Sequence, residues 1–157
     1  MVYFTTTRFN DETWEENMIW RRNNNSNGCI YGTPQKIKFQ IPINSPVYVI
    51  EMNNDTNSIL GIGLIRNKLE LQKKHKIYSC GNYNRYTYKG HKRVDRYEMT
   101  LDEDNLCEKL DKLLFKGYRH LKRGQGITEL PSRIIDNKDL SLKKQLKKMF
   151  INKYNGK

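Results

Sequence analysis

The densest run of side chains able to do chemistry extends from Lys73 to Arg96, KKHKIYSCGNYNRYTYKGHKRVDR, in a chain of 157 residues. Eight cations (Lys73, Lys74, Lys76, Arg85, Lys89, Lys92, Arg93 and Arg96) stand there against one Asp, with Tyr78, Tyr83, Tyr86 and Tyr88 set among them. Ammonium and guanidinium groups displace counterions along phosphates, and phenol rings stack on bases, so the mixture predicts contact with nucleic acid. The competing description is a solvated basic face over ordinary strand-forming tyrosines, with Tyr86 or Tyr88 turned into the core. The charge is uneven. The whole chain is +12, yet residues 1–65 hold five basic and six acidic residues while 66–157 hold 24 and 11. A polyanion-facing surface therefore belongs to the second half.

A second cationic cluster, Lys116 to Gly126, sets Arg119, Lys122 and Arg123 among Gly117, Gly124 and Gly126. Glycines let backbone N–H groups approach an anion, and the three cations can close on a phosphate; the same glycines also suit a helix cap followed by a turn. The Gly-Lys-Ser/Thr ending of a nucleotide-binding loop is missing, and Gly61-Ile62-Gly63 has no helix start after it, so no cofactor is expected. Trp20, beside Arg21-Arg22, and Trp14 are the indoles available to a base pocket, Trp14 suiting a core anchor as well. His75, His91 and His120 with Cys29, Cys80 and Cys107 never fall at metal-ligand spacing, so no metal site is expected. Glu51 with Glu70-Leu71-Gln72-Lys73 is the one passable carboxylate–lysine combination for a metal-dependent nuclease. Asp102-Glu103-Asp104 is explained by the helix macrodipole.

The elements that must position these groups follow from local patterns. Val2 to Phe9 predicts a strand, and Asn10-Asp11-Glu12 a helix start, with Trp14, Met18 and either Asn17 or Arg21 on one face. Asn23 to Gly28 predicts a loop, and Ile37 to Ile43 at best a short edge strand. The apolar runs 47–52 and 58–65 flank Asn53-Asn54-Asp55-Thr56-Asn57 as a hairpin, and Gly61 and Gly63 mark a close approach or bend. His75–Cys80 and Tyr83–Lys89 predict a second hairpin around Gly81-Asn82. Thr100-Leu101-Asp102-Glu103 is a capping box for an amphipathic helix carrying Leu106, Leu110, Leu113 and Leu114. A last, basic helix follows Asp139, with Leu142, Leu146, Met149 and Phe150 inward and Lys143, Lys144, Lys147 and Lys148 outward.

The length suits one domain, 1–157, with a single core. Three widely spaced cysteines favour a reducing compartment over a disulfide framework. No leader pattern and no apolar run long enough for a membrane are present, which predicts a soluble intracellular protein, cytoplasmic or nuclear, with no membrane partner. Heavy use of Asn, Lys, Ile and Tyr hints at an A/T-rich genome such as that of a large DNA virus, which would add the virion to those locations.

The succession of Val2–Phe9, the Trp14 helix, Gly28–Gly32, Val47–Met52 and Gly61–Ile65 resembles the EVE branch of the PUA-like superfamily, relatives of the YTH and ASCH domains, over roughly the first 65 positions. The resemblance implies an α+β fold with a small bent β-barrel flanked by helices, and a pocket that receives RNA or a single, often modified, base. The expected function is thus non-catalytic binding of RNA or single-stranded nucleic acid. A metal-dependent nuclease, and a structural or virion protein whose basic surface accompanies the genome, are the alternatives.

Overall fold

The β-branched and aromatic N-terminal run forms strand β1 (Tyr3–Phe9), and the Asn10 side chain then starts helix α1 (Asp11–Asn23) by accepting from Thr13 N while Thr13 Oγ1 accepts from the Asn10 amide. The computed structural model describes residues 1–71 and 75–155. After α1 come β2 (Cys29–Thr33), β3 (Pro46–Asn53), β4 (Ser58–Arg66), β5 (Tyr86–Gly90) and β6 (Lys92–Asp95). Helix α2 (Leu101–Phe115), the two-residue β7 (Thr128–Glu129), α3 (Ser132–Ile135) and α4 (Leu142–Tyr154) complete the described chain. The fold is α+β. A mixed five-stranded sheet runs β6-β4-β3-β1-β7, with β1 and β3 parallel, and β2 pairs with β5 in a separate antiparallel ribbon.

The sheet separates two cores. On one face Phe4, Tyr48, Ile50, Met52 and Ile62 meet Leu106, Leu110 and Leu114 of α2 and Leu142, Leu146, Met149 and Phe150 of α4. On the other, Val47, Val49 and Ile65 meet Phe9, Trp14, Ile30, Tyr31 and Tyr88 beneath α1 and the β2–β5 ribbon. The Thr100/Glu103 capping box forms as its spacing predicts, and Lys143, Lys144, Lys147 and Lys148 stand exposed on α4. The hairpin around residues 53–57 also forms, with a bulge opposite Glu51/Met52.

Other expectations change. No closed barrel is found: the ribbon lies against β4 without joining its ladder. Gly90 is what permits the approach, since a Cβ there would sit 2.1 Å from Leu64 O. Gly63 has the same role, its hypothetical Cβ falling 2.1 Å from Tyr31 Oη. The second predicted hairpin is replaced by one strand, β5, preceded by a 3₁₀ turn at Gly81–Asn84. There the Asn84 side chain substitutes for a partner strand: Oδ1 accepts from the Ile77 and Tyr78 amides and Nδ2 donates to Tyr78 O. Residues 37–43 form no strand, although Ile37 and Ile41 are buried. On α1, Asn17 is buried and Met18 is exposed, because the Asn17 amide donates to Ile30 O and Tyr78 Oη.

Candidate nucleic-acid interface

Between β4, the ribbon and α1 lies a buried polar knot. Arg93 Nη2 is 2.6 Å from Glu51 Oε1, Arg93 Nε donates to both Glu51 oxygens, and Tyr31 Oη donates to Glu51 Oε2 at 2.6 Å. Glu51 and Tyr31 are each 1% exposed and Arg93 5%. Burial alone would lower the pKa of Arg93, but the adjoining Glu51 carboxylate outweighs it and holds the guanidinium above its ordinary pKa. Burial likewise drives the Tyr31 phenol well above its usual value. Trp14 has the Arg93 and Arg21 guanidiniums each 5.0 Å from its ring centroid, and meets Phe9 edge-on.

Four of the expected contacts are corrected by this packing. Arg93 is committed to Glu51 and Asp95 and cannot reach a phosphate. Arg96 is mostly buried and spends its donors on Asp104, Asp111 and Ile59 O. Tyr88 is a core residue whose hydroxyl accepts from Ile37 N. Trp14, 9% exposed, is an anchor of the second core rather than a base platform. Lys73 and Lys74 lie outside the described residues.

The remaining cations do come together, and over aromatic rings. Lys36 and Arg85 each stand 5.5 Å from the centroid of half-buried Tyr86; Lys89 stands 5.7 Å from Trp20; Lys92 and Lys153 stand 5.5 and 5.2 Å from Tyr154. Trp20 also meets His75 edge-to-face at 5.2 Å. Among the described residues no carboxylate pairs with Lys36, Arg85, Lys89 or Lys92; Lys153 pairs with Glu98. Arg85, Tyr86, Lys89 and Lys92 form a row in sequence, from the residue before β5 to the first residue of β6. Lys76 and Arg85 border a hollow of about 600 Å³ at one end of the row, and Lys89 and Lys92 a groove of about 530 Å³ at the other.

The second cationic cluster is elsewhere. Lys122 and Arg123 line a cavity of about 440 Å³ with Arg8, Phe9, Tyr83 and Asn54, whereas exposed Arg119 lies outside it, 5.6 Å from the Tyr118 ring. Arg8, the one charged residue of β1, and Asn54, in a turn, were not singled out from the sequence. Among the described residues no group of three or more His, Cys, Asp or Glu could hold a metal ion, and no helix is long and apolar enough to cross a membrane. No protein-family model, no curated protein and no solved structure matches the chain.

Proposed function

We propose that the protein binds RNA or another single-stranded nucleic acid without catalysing a reaction on it. The observation that supports this is the row Arg85–Tyr86–Lys89–Lys92, in which cations with no carboxylate partner among the described residues stand over the half-buried rings of Tyr86, Trp20 and Tyr154. A phosphate approaching such a cation replaces bulk counterions, and the ring beneath it is at hand for a base, which is the pairing that favours single strands over a stacked duplex. Glu51, the carboxylate on which a nuclease would draw, is already bound by Arg93 and Tyr31. The same proposal takes the fold as PUA-like of EVE type, on the order β1-α1-β2-β3-β4 and the close approach at Gly63, takes a modified base as an admissible ligand, and takes the protein as intracellular.

Fluorescence anisotropy with a labelled single strand and its duplex, each at 50 and 200 mM salt, tests it. The single strand should bind more tightly, with log affinity falling linearly in log salt at about −0.7 per phosphate contacted. Absence of binding at 50 mM salt overturns the proposal; Mg²⁺-dependent cleavage of the labelled strand replaces it with the nuclease.

A further inference from the structure

We infer, on the footing of the nucleic-acid reading above, that the cavity between the end of β1, β2 and residues 122–126 is a seat for one nucleotide. Its phosphate lies on the Lys122–Gly126 segment and its ring against Phe9 and Tyr83.

Three observations carry this. First, the cavity is lined by Arg8, Lys122 and Arg123 and by no Asp or Glu. Arg8 is largely buried, and all its guanidinium bonds go to neutral acceptors: Thr6 Oγ1 at 3.0 Å, Leu121 O at 2.9 Å, Gly126 O at 3.1 Å and Thr128 Oγ1 at 2.8 Å. No carboxylate among the described residues pairs with it, and its buried Nε has no partner there. A cation in this position lacks a counter-charge, and burial pushes its pKa down to about 10 accordingly. An anion in the cavity supplies what is missing.

Second, residues 122–126 are shaped for that anion. Gly126 has φ +73°, a conformation that L side chains rarely adopt, and Gly124 lies so flat on Arg8 that a Cβ would be 2.7 Å from Cζ. The amides of residues 123–126 donate to no other described residue. Successive free N–H groups beside half-buried Lys122 and exposed Arg123 make a phosphate seat.

Third, the opposite wall is built for a ring with an N–H edge. Tyr83 supplies the half-exposed aromatic surface, backed by the buried rings of Phe9, Tyr31 and Tyr78, and Gly32 is what lets the Tyr83 backbone sit on β2, a Cβ there falling 2.1 Å from Tyr83 O. Asn54 donates through Nδ2 to Lys122 O at 2.9 Å, which fixes its amide orientation and leaves Oδ1 buried without a donor. Inorganic phosphate or a sugar phosphate would satisfy the cations, and through a hydroxyl Oδ1, but would leave the rings uncovered. A volume of about 440 Å³ lies in the range of small-ligand sites.

The test is calorimetric titration of the full chain with AMP, CMP, GMP and UMP, with the parent nucleosides and with inorganic phosphate, together with competition of each against a labelled single strand. At least one monophosphate should bind tenfold or more tightly than both its nucleoside and phosphate, and Asn54→Leu and Lys122→Gln/Arg123→Gln should each weaken it tenfold or more. A monophosphate that binds and displaces the strand identifies the source as a nucleotide of a strand; one that binds without displacing it identifies a free nucleotide. If strands bind but no monophosphate does, and Asn54→Leu leaves strand affinity unaltered, the cavity inference is overturned while strand binding stands. If monophosphates bind and strands do not, the strand reading fails and the cavity inference stands. Should Asn54→Leu misfold, the ranking of monophosphate over nucleoside and phosphate on the native chain decides alone.

Discussion

Lys92 and Arg93 are sequence neighbours of the same charge, yet their replacement by Met should have opposite consequences. Arg93→Met removes the guanidinium that reaches Glu51 through Nε and Nη2 and Asp95 through Nη1, leaving a carboxylate 1% exposed with the Tyr31 hydroxyl alone. Stranding one partner of a buried pair costs about 3–5 kcal/mol, a large part of the ~5–15 kcal/mol that holds a typical domain together. Urea unfolding should show the midpoint fall with little change in slope. Lys92 is exposed over Tyr154, and its loss should stay within about 0.5 kcal/mol. In the oligonucleotide titration Lys92→Met should instead reduce the log–log salt slope by about 0.7, one phosphate contact. Removing the whole knot, with Glu51→Met, Arg93→Met and Tyr31→Phe together, should recover most of the lost stability, since the one carboxylate then left without its cation, Asp95, is partly exposed and solvated. If Arg93→Met melts like the native chain and lowers the salt slope as Lys92→Met does, Arg93 is a surface phosphate ligand and the burial reasoning is wrong.

Ellman's reagent at pH 8 should titrate Cys80 alone in the folded protein, because burial pushes the Cys29 and Cys107 thiols up to about 12; three thiols reacting at one rate would contradict the packing around them. Gly63→Ala should destabilise by about 1–3 kcal/mol, and by clearly less in a Tyr31→Phe background, where the Oη that the new methyl strikes is gone. Strict additivity of the two changes would place the clash elsewhere. Trp20→Ala should cost about 1–3 kcal/mol of strand binding with the fold retained, and Trp14→Ala about 3–5 kcal/mol of stability. Early melting of Trp20→Ala with normal binding would make Trp20 another core residue.

What could be read from residue order was whatever a few neighbours decide among themselves. The Thr100/Glu103 box, the Asn10 cap, the 53–57 turn and the apolar stripe of α4 are of this kind, and each forms where its spacing puts it. The cations of 73–96 are a different case, because nothing local separates Lys92 from Arg93. The difference is made by Glu51, 42 residues away, and the signal for it lay in β3: a lone carboxylate in an otherwise apolar strand must find a buried cation or be expelled. The same test, asked of every charged residue inside an apolar run, also selects Arg8 in β1. There it returns the opposite result, for Arg8 meets the Thr6 hydroxyl, carbonyls and a hydroxyl from residues 121–128 and, among the described residues, no acid. That meeting depends on β7, whose two residues are too few to show a period of two. The glycine-rich cationic cluster and the strand that receives it could each be seen in the sequence, and their junction could not. Where a buried charge has its partner within the chain it builds the fold, as at Arg93. Where it has none, as at Arg8, the missing partner is the property from which a ligand's charge can be argued.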